Sequence, residues 1–162
     1  MTHLHPSRRA LLGWLGAGVA LSAVGIAPAS AVSFRVTMSD AEWRKKLGEA
    51  SYQVLRHEDT ERPFSSPLND EHRKGTFICK GCDNALYASN TKFDSKTGWP
   101  SFWQPIDKGA VTTTTDNKLG YTRVAVNCAD CGGHLGHVFR DGPKPTGLRY
   151  CMNGLAMKFR PG

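Results

Sequence analysis

Two pairs of cysteines limit what this chain of 162 residues can fold into. The pairs are Cys79-Lys80-Gly81-Cys82 and Cys128-Ala129-Asp130-Cys131, and 45 residues separate them. Glycines within the first pair and directly after the second permit the tight turns that let two sulfurs face one point. Four thiolates complete the tetrahedral shell of a closed, structural zinc site. The spacing therefore predicts one structural zinc ion that joins the chain near residue 80 to the chain near residue 130.

Disulfides are the competing interpretation of the same four cysteines. An exported protein meets an oxidising compartment, where disulfides form and persist. However, cysteines this close in a turn do not usually connect distant loops, and cross-pairing the two turns would cluster four sulfurs where a metal fits better. A redox-active pair is a further alternative, although neither pair lies between a strand and a helix.

The fifth cysteine, Cys151, has no partner in this arrangement. A single thiol is either an apolar packing residue or a reactive group. Arg149 lies two residues away, on the same face of a predicted strand, where its charge would favour a thiolate. The cysteine count by itself leaves both interpretations open.

Residues 1–31 differ in composition from the rest of the chain. Ser7-Arg8-Arg9 opens a basic segment without acids, and the apolar run over residues 10–27 is too short and too rich in glycine and alanine for a good membrane span. The small residues of Pro28-Ala29-Ser30-Ala31 suit a signal peptidase. The segment resembles a twin-arginine export signal, with a general secretory signal as the alternative. We therefore predict a signal peptide over residues 1–31, one mature domain over residues 32–162, export to the periplasm and no stable membrane insertion after cleavage.

The charge of the predicted mature chain argues against nucleic acid as a partner. Residues 1–31 contain two arginines and no acid, so the formal net charge falls from +7 to +5 without them. The remaining basic residues are scattered rather than gathered into a stripe with interleaved aromatics. We expect a solvated surface, no nucleic-acid partner and a monomer.

The order of local patterns predicts a mainly β domain with short helices on its N-terminal side. Ser39 and Glu42 form a capping-box pattern that starts one helix, a second is predicted from Glu49 to Arg56, and Pro63–Leu68 is predicted to be an extended loop. The predicted strands are Thr76–Cys79, Ala85–Ala88, Ala110–Thr115, Tyr121–Asn127, His137–Arg140, Leu148–Met152 and Leu155–Phe159. The third and fourth are predicted to form a hairpin. Strands at this spacing without long helices between them favour antiparallel sheets.

Several motifs together resemble the methionine sulfoxide reductases of type B. They are Gly98-Trp99-Pro100-Ser101-Phe102, the segment from Cys128 to Phe139 that contains Gly133-His134-Leu135-Gly136-His137, Asp141-Gly142-Pro143, and Gly147-Leu148-Arg149-Tyr150-Cys151-Met152-Asn153. The resemblance runs from about Ser39 to Phe159. It implies two antiparallel sheets in a tent or barrel-like core, with short N-terminal helices and a zinc site far from the active site. It also implies thiol-dependent reduction of the R epimer of methionine sulfoxide, free or in proteins.

The resemblance also implies an active site of six residues. They are Cys151, His137, His134 and Asn153 as catalytic residues, and Trp99 and Arg149 as substrate-binding residues. A sulfoxide is a poor electrophile until its oxygen receives a proton, so a nucleophile, Cys151, and an acid, His137, must face the same sulfur. His134 supports the acid or has a purely structural role. Asn153 holds an oxygen or a histidine, and Trp99 offers a flat face to the substrate methyl group unless it is a core residue.

One position departs from the pattern of many type B reductases. Those members carry a second, resolving cysteine directly before the Gly-Trp-Pro-Ser-Phe motif, whereas this chain has Thr97 there. Because a threonine cannot form a disulfide with Cys151, we expect an external, thioredoxin-like thiol to reduce the oxidised enzyme. Two rival functions are a zinc-ribbon binding module, in which Cys151 is incidental, and a general thiol oxidoreductase, which would need a second redox-active cysteine.

Overall fold

A computed structural model describes residues 33–162 of the chain. The predicted signal peptide and its cleavage site lie outside these residues. Within them, no helix is both long and apolar enough to cross a membrane. Two α-helices, α1 (Asp40–Leu47) and α2 (Glu49–His57), precede the strands. Residues 33–162 contain nine strands: β1 (Gly75–Cys79), β2 (Ala85–Ala88), β3 (Lys92–Phe93), β4 (Ser101–Phe102), β5 (Val111–Asp116), β6 (Arg123–Cys128), β7 (His134–Phe139), β8 (Arg149–Met152) and β9 (Met157–Pro161).

The first helix begins where the capping box predicts. The Ser39 side chain accepts a hydrogen bond from the Glu42 main-chain N–H, and the Glu42 carboxylate accepts one from the Ser39 N–H at 2.8 Å. These bonds satisfy N–H groups that have no partner inside the helix. Gly48, with φ of 71°, then separates the two helices, and α2 buries Tyr52 and Leu55 against the sheets.

The strands form two antiparallel sheets, which confirms the mainly β prediction. One sheet has three strands in the order β2-β1-β9, and the other has six in the order β3-β4-β8-β7-β6-β5. The sheets remain separate and each keeps two edge strands, so the barrel-like part of the expectation is wrong. Closure would need hydrogen bonds between edge strands, and the described sheets have none.

Several local predictions differ from the structure in extent. The hairpin is confirmed, since β5 and β6 pair from Val111 opposite Cys128 to Asp116 opposite Arg123. Strand β7 begins at His134, three residues earlier than predicted, because its first half, His134-Leu135-Gly136, has one apolar side chain and gives no apolar alternation. Part of the predicted extended loop is instead a 3₁₀ turn, Pro67–Asp70, whose start is capped by a side chain.

Aromatic rings between the sheets fix the strand that carries Cys151. The rings of Tyr87 and Phe102 stack with centroids 4.3 Å apart, and Phe77 packs edge-on against Phe102 at 4.9 Å. The hydroxyl of Tyr87 donates to the sulfur of Met152 at 3.1 Å. Because successive side chains of a strand point to opposite faces, the burial of Met152 turns Cys151 away from the core.

Candidate active site and cysteine cluster

The two cysteine pairs meet in space as their spacing predicts. The sulfur atoms of Cys79, Cys82, Cys128 and Cys131 all lie within 4.8 Å of one another. The Cys79 and Cys131 sulfurs are 3.8 Å apart, and those of Cys82 and Cys128 are 3.5 Å apart. These separations exceed the roughly 2.05 Å of a disulfide bond. All five cysteines are free, so the disulfide interpretation finds no support.

The positions of the four sulfur atoms fit an ion with tetrahedral coordination. Four sulfurs at about 2.3 Å from a central zinc ion would lie about 3.8 Å from one another, close to the measured distances. Cys79 and Cys82 lie at the turn after β1, and Cys128 and Cys131 at the turn after β6. An ion held there would therefore link the three-stranded sheet to the six-stranded sheet. The amide of Asn84 donates to the Cys128 sulfur at 3.5 Å, which favours a thiolate at that position.

Cys151 lies in β8, with a neighbouring strand on each side. It pairs with Ser101 of β4 on one side and with His137 of β7 on the other. Directly opposite residues of antiparallel strands project from the same face, so the thiol and the imidazole share one side of the sheet. Ser101, His137 and Cys151 belong to separate motifs in the sequence, and the pairing of β4, β8 and β7 brings them together.

A cavity of about 110 Å³ opens beside the Cys151 thiol. Its lining residues are Thr60, Trp99, Arg123, Gly136, His137, Phe139, Cys151 and Asn153. Four of the six expected site residues therefore line one cavity. His134 and Arg149 do not line it. A cavity of this size can hold one amino-acid side chain.

Burial controls the ionisation of the Cys151 thiol. Burial raises the pKa of Cys151, and the hydroxyl of Thr97 and the charge of Arg149 oppose that shift without cancelling it. The charge of Arg149 acts in favour of the thiolate, but burial outweighs it. The Arg149 guanidinium is held by Asp141 through two hydrogen bonds of 2.8 and 2.9 Å, and it lies over the ring of Phe139.

A β-bulge brings the two histidines to the same side of the sheet. In a regular strand, residues three apart project from opposite faces. Here the register shifts between Gly136 and His134, so that Leu135 is an extra residue in β7. The imidazole centroids of His134 and His137 are 5.2 Å apart as a result. The motif contains both histidines but gives no sign of the bulge.

The two imidazoles have different surroundings. His134 is buried, neither of its ring nitrogens has a hydrogen-bond partner among the described residues, and burial lowers its pKa to about 4. It is therefore neutral near pH 7. Burial also lowers the pKa of His137, but a hydrogen bond to Asp116 opposes that shift. Of the two, His137 is the one whose protonated form has a stabilising partner.

Asp116 is a site residue that the sequence analysis missed. Its carboxylate lies 2.7 Å from Nε2 of His137 and accepts from Arg123 at 2.6 Å. The N–H of Lys118 and the contact with His137 hold the pKa of Asp116 well below its usual range. In the sequence, Asp116 looks like an ordinary hairpin-turn residue. Its place beside Arg123 and His137 becomes visible only from the register of β5, β6 and β7.

Asn153 and Trp99 are both held by the loop after α2. The Asn153 amide oxygen accepts from the N–H of Glu61 at 3.0 Å, and its NH₂ group donates to Leu135 O at 3.2 Å. The ring N–H of Trp99 donates to Glu61 O at 3.1 Å. Asn153 therefore contacts main chain on both sides rather than a histidine. Sequence analysis also missed Glu61, since no motif joins it to the residues that it contacts.

Thr97 lies next to the candidate nucleophile. Its hydroxyl oxygen is 3.8 Å from the Cys151 sulfur, and it also contacts Ser95 Oγ at 2.8 Å. The loop before Trp99 therefore places residue 97 beside residue 151.

A thiol in an open cavity with an imidazole on the facing strand and an aromatic ring in the lining is the arrangement expected of a thiol-dependent enzyme, and the four-cysteine cluster could hold a metal ion at a separate place. Comparisons with known proteins give the family. The SelR domain matches residues 47–161. The peptide methionine sulfoxide reductase MsrB of Agrobacterium fabrum is 51% identical over 127 residues, which cover 78% of this chain and 94% of the relative. The enzyme of the same name from Pseudomonas putida is 53% identical over 120 residues, 74% of this chain and 90% of the relative. This chain therefore belongs to the MsrB family.

The comparison also corrects one prediction. The similar proteins are named plainly as MsrB, with no mention of export, and nothing in residues 33–162 indicates export. The prediction of a periplasmic protein is therefore wrong. The matched domain begins at residue 47, inside the predicted mature domain of residues 32–162.

Proposed function

We propose that this protein reduces methionine-R-sulfoxide to methionine with Cys151 as its single nucleophile. The observation that carries the proposal is the placement of the Cys151 thiol opposite His137 in one open cavity. The family supports methionine sulfoxide reduction. The stereochemistry, the residue roles and the sulfenic acid intermediate are our proposals.

The chemistry balances with one thiol and one acid. The Cys151 sulfur attacks the sulfoxide group, and the substrate oxygen passes to it as the sulfoxide S–O bond breaks. The products are methionine and the sulfenic acid of Cys151, so the substrate sulfur is reduced and the cysteine sulfur is oxidised. The Cys151 thiol gives up one proton and the new S–OH group carries one, so the step neither consumes nor releases a proton overall. An acid is needed only to protonate the oxygen transiently.

His137 is the proposed acid. Asp116 holds its Nε2, so Nδ1 is the atom that we assign to protonate the substrate oxygen, and a carboxylate at this distance favours the imidazolium form. His134 is the less suitable acid because its pKa of about 4 keeps it neutral. We assign His134 a supporting role as a packed neighbour of His137, with ring centroids 5.2 Å apart.

The remaining proposed roles concern orientation. Trp99 lies at the cavity wall and offers its ring to the substrate methyl group and to the partial positive charge on sulfur. Asn153 forms another part of the wall and fixes the end of β8. Arg149 lies outside the cavity and acts on the charge of Cys151.

The cavity favours methionine sulfoxide within a polypeptide over the free amino acid. A free amino acid carries an ammonium and a carboxylate group, which a specific site would have to pair. Arg123 is the one permanently charged residue in the lining, and it is already bound to Asp116. The described lining therefore offers no free charge of either sign for those groups. A peptide has neither group next to its methionine sulfoxide.

Zinc is the proposed cofactor, held by Cys79, Cys82, Cys128 and Cys131, because their sulfur separations fit a four-sulfur shell. A closed site of this kind contributes folding free energy and no chemistry. None of the four cysteines lines the Cys151 cavity.

The oxidised enzyme requires a thiol from outside the chain. The other four cysteines are grouped in the cluster, and Thr97 occupies the position beside the Cys151 sulfur. A thioredoxin-like thiol would attack the sulfenic acid, release water and form a mixed disulfide. A second thiol would then regenerate Cys151.

A direct assay tests the proposal. Purified enzyme with dithiothreitol should convert a blocked peptide-like methionine-R-sulfoxide, such as the N-acetyl amide, with a higher kcat/KM than the free amino acid. Cys151→Ser should form no methionine from either substrate, while its metal content stays unchanged. Full activity of Cys151→Ser would contradict the assignment of the nucleophile, and a preference for the free amino acid would contradict the assignment of the substrate.

A further inference from the structure

Glu61 is a buried carboxylate that the mechanism above does not use. It lies in the loop after α2, and only 7% of its surface is exposed. It is the one acidic residue among the buried residues of the described chain. Its carboxylate oxygens accept hydrogen bonds from the N–H groups of Gly154 and Leu155, the latter at 3.0 Å. Burial raises the pKa of Glu61, and these two N–H groups oppose the shift.

The main chain of the same residue holds two walls of the Cys151 cavity. The N–H of Glu61 donates to the side-chain oxygen of Asn153, and its C=O accepts from the ring N–H of Trp99. Thr60, directly before it, lines the cavity. One residue therefore connects the turn after β8, the Asn153 amide and the Trp99 ring through four hydrogen bonds.

The carboxylate is what anchors this loop to the turn that follows Cys151. A buried N–H group that loses its acceptor is costly, so the two N–H groups of Gly154 and Leu155 hold the carboxylate firmly. Space is also tight there, since a Cβ atom placed on Gly154 would lie 1.8 Å from Ser66 Oγ. Removal of the carboxylate would let the loop shift, and Trp99 and Asn153 would then lose their partners on Glu61.

We propose that Glu61 is a positioning residue for the reduction at Cys151: its carboxylate fixes the loop over residues 60–61 to the turn after β8, and the loop main chain orients Trp99 and Asn153. The inference rests on the proposed function, since it concerns the same cavity. It assigns Glu61 no contact with the substrate.

The test compares Glu61→Gln and Glu61→Ala with the wild type in single turnover. Reduced enzyme in excess is mixed with the peptide-like methionine-R-sulfoxide without reductant, and the rate of methionine formation is measured well below the melting temperature. Glutamine keeps one acceptor oxygen and alanine keeps none. Because a displacement of about 1 Å in an active site can cost about 100-fold in rate, we expect a fall of about 10- to 100-fold for alanine and a smaller fall, about 5-fold, for glutamine.

Two further measurements separate positioning from a purely structural role. The rate of Cys151 alkylation by iodoacetamide should stay within about twofold of the wild type in both variants, because Glu61 does not contact the thiol. Glu71→Gln is the matched control, since Glu71 is also a largely covered carboxylate, paired with Arg73 at 2.6 Å and away from the cavity. It should leave the single-turnover rate unchanged.

The outcomes are distinct. A graded loss of rate in folded variants with unchanged alkylation supports the positioning role. A wild-type single-turnover rate in Glu61→Gln overturns it, whether or not the alanine variant folds, because it shows that an intact carboxylate is not needed. If the wild type itself forms no methionine, the proposed function fails instead.

Discussion

A cysteine at position 97 should give the enzyme an internal route for recycling. The Thr97 hydroxyl oxygen lies 3.8 Å from the Cys151 sulfur, whereas a disulfide requires about 2.05 Å. A shift of less than about 2 Å in the loop before Trp99 would close that gap, and the longer C–S bond of cysteine shortens it further. We therefore expect Thr97→Cys to form a disulfide with Cys151 after one turnover.

The disulfide should also stabilise the oxidised Thr97→Cys variant against unfolding. The disulfide would close a loop across 54 positions of the chain. Loop-closure entropy for such a loop corresponds to at most about 4 kcal/mol of stabilisation, reduced by any strain in the native state. For a domain of this size that corresponds to a rise in Tm of roughly 5–15 °C over the same variant in its reduced state.

The assay combines mass spectrometry with thermal unfolding. One equivalent of substrate without reductant should lower the mass of Thr97→Cys by two hydrogens and leave nothing for a sulfenic-acid trap. Thr97→Ser is the control, because it keeps a hydroxyl at this position and should give the trapped adduct of the wild type. A trapped sulfenic acid in Thr97→Cys at the wild-type yield, without a rise in Tm, would refute the placement of residue 97 beside the thiol.

Three other predictions follow from the site. The wild type should hold one metal ion per chain, and Cys82→Ser should lose it. That variant should also unfold at room temperature, since structural zinc contributes roughly 10 kcal/mol or more to the free energy of folding. Elemental analysis measures the metal content and circular dichroism measures the folding. Asp116→Asn removes the carboxylate that favours protonated His137, so the pKa of His137 should fall further and the single-turnover rate should decline at lower pH than in the wild type. At pH 7 that rate should fall by roughly 10-fold or more, whereas an unchanged pH profile would exclude the pairing. Arg149→Met should raise the pKa of Cys151 further, so alkylation by iodoacetamide should slow at pH 8; faster alkylation would reverse the assigned role of the charge.

Local patterns in the sequence were sufficient where the cause of the structure is itself local. The capping box at Ser39, the two cysteine turns and the β5–β6 hairpin each depend on neighbouring residues, and the structure has all three. The strand pattern also predicted an antiparallel β core, and the family resemblance implied its division into two sheets. Their failure to close into a barrel depends on how edge strands meet, which no short segment specifies.

The site was only partly predictable because its contacts depend on strand order and register. The motifs contain Cys151 and His137 but not Asp116. Asp116 reaches His137 only because β5 pairs with β6 and β6 pairs with β7. The bulge at Leu135 decides on which face His134 lies, and it leaves no periodic signal in β7. Glu61 lies in a loop, where its burial comes entirely from tertiary contacts.

A single turnover without reductant tests the central claim most directly. The wild-type enzyme, mixed with one equivalent of peptide-like methionine-R-sulfoxide, should yield one equivalent of methionine and a protein heavier by one oxygen. That oxygen should lie on Cys151 by peptide mapping and should react with a sulfenic-acid trap. Methionine formed with the oxygen on another residue would contradict the account. An internal disulfide that includes Cys151 would also contradict it, because one of the proposed zinc ligands would then have to be the partner of Cys151.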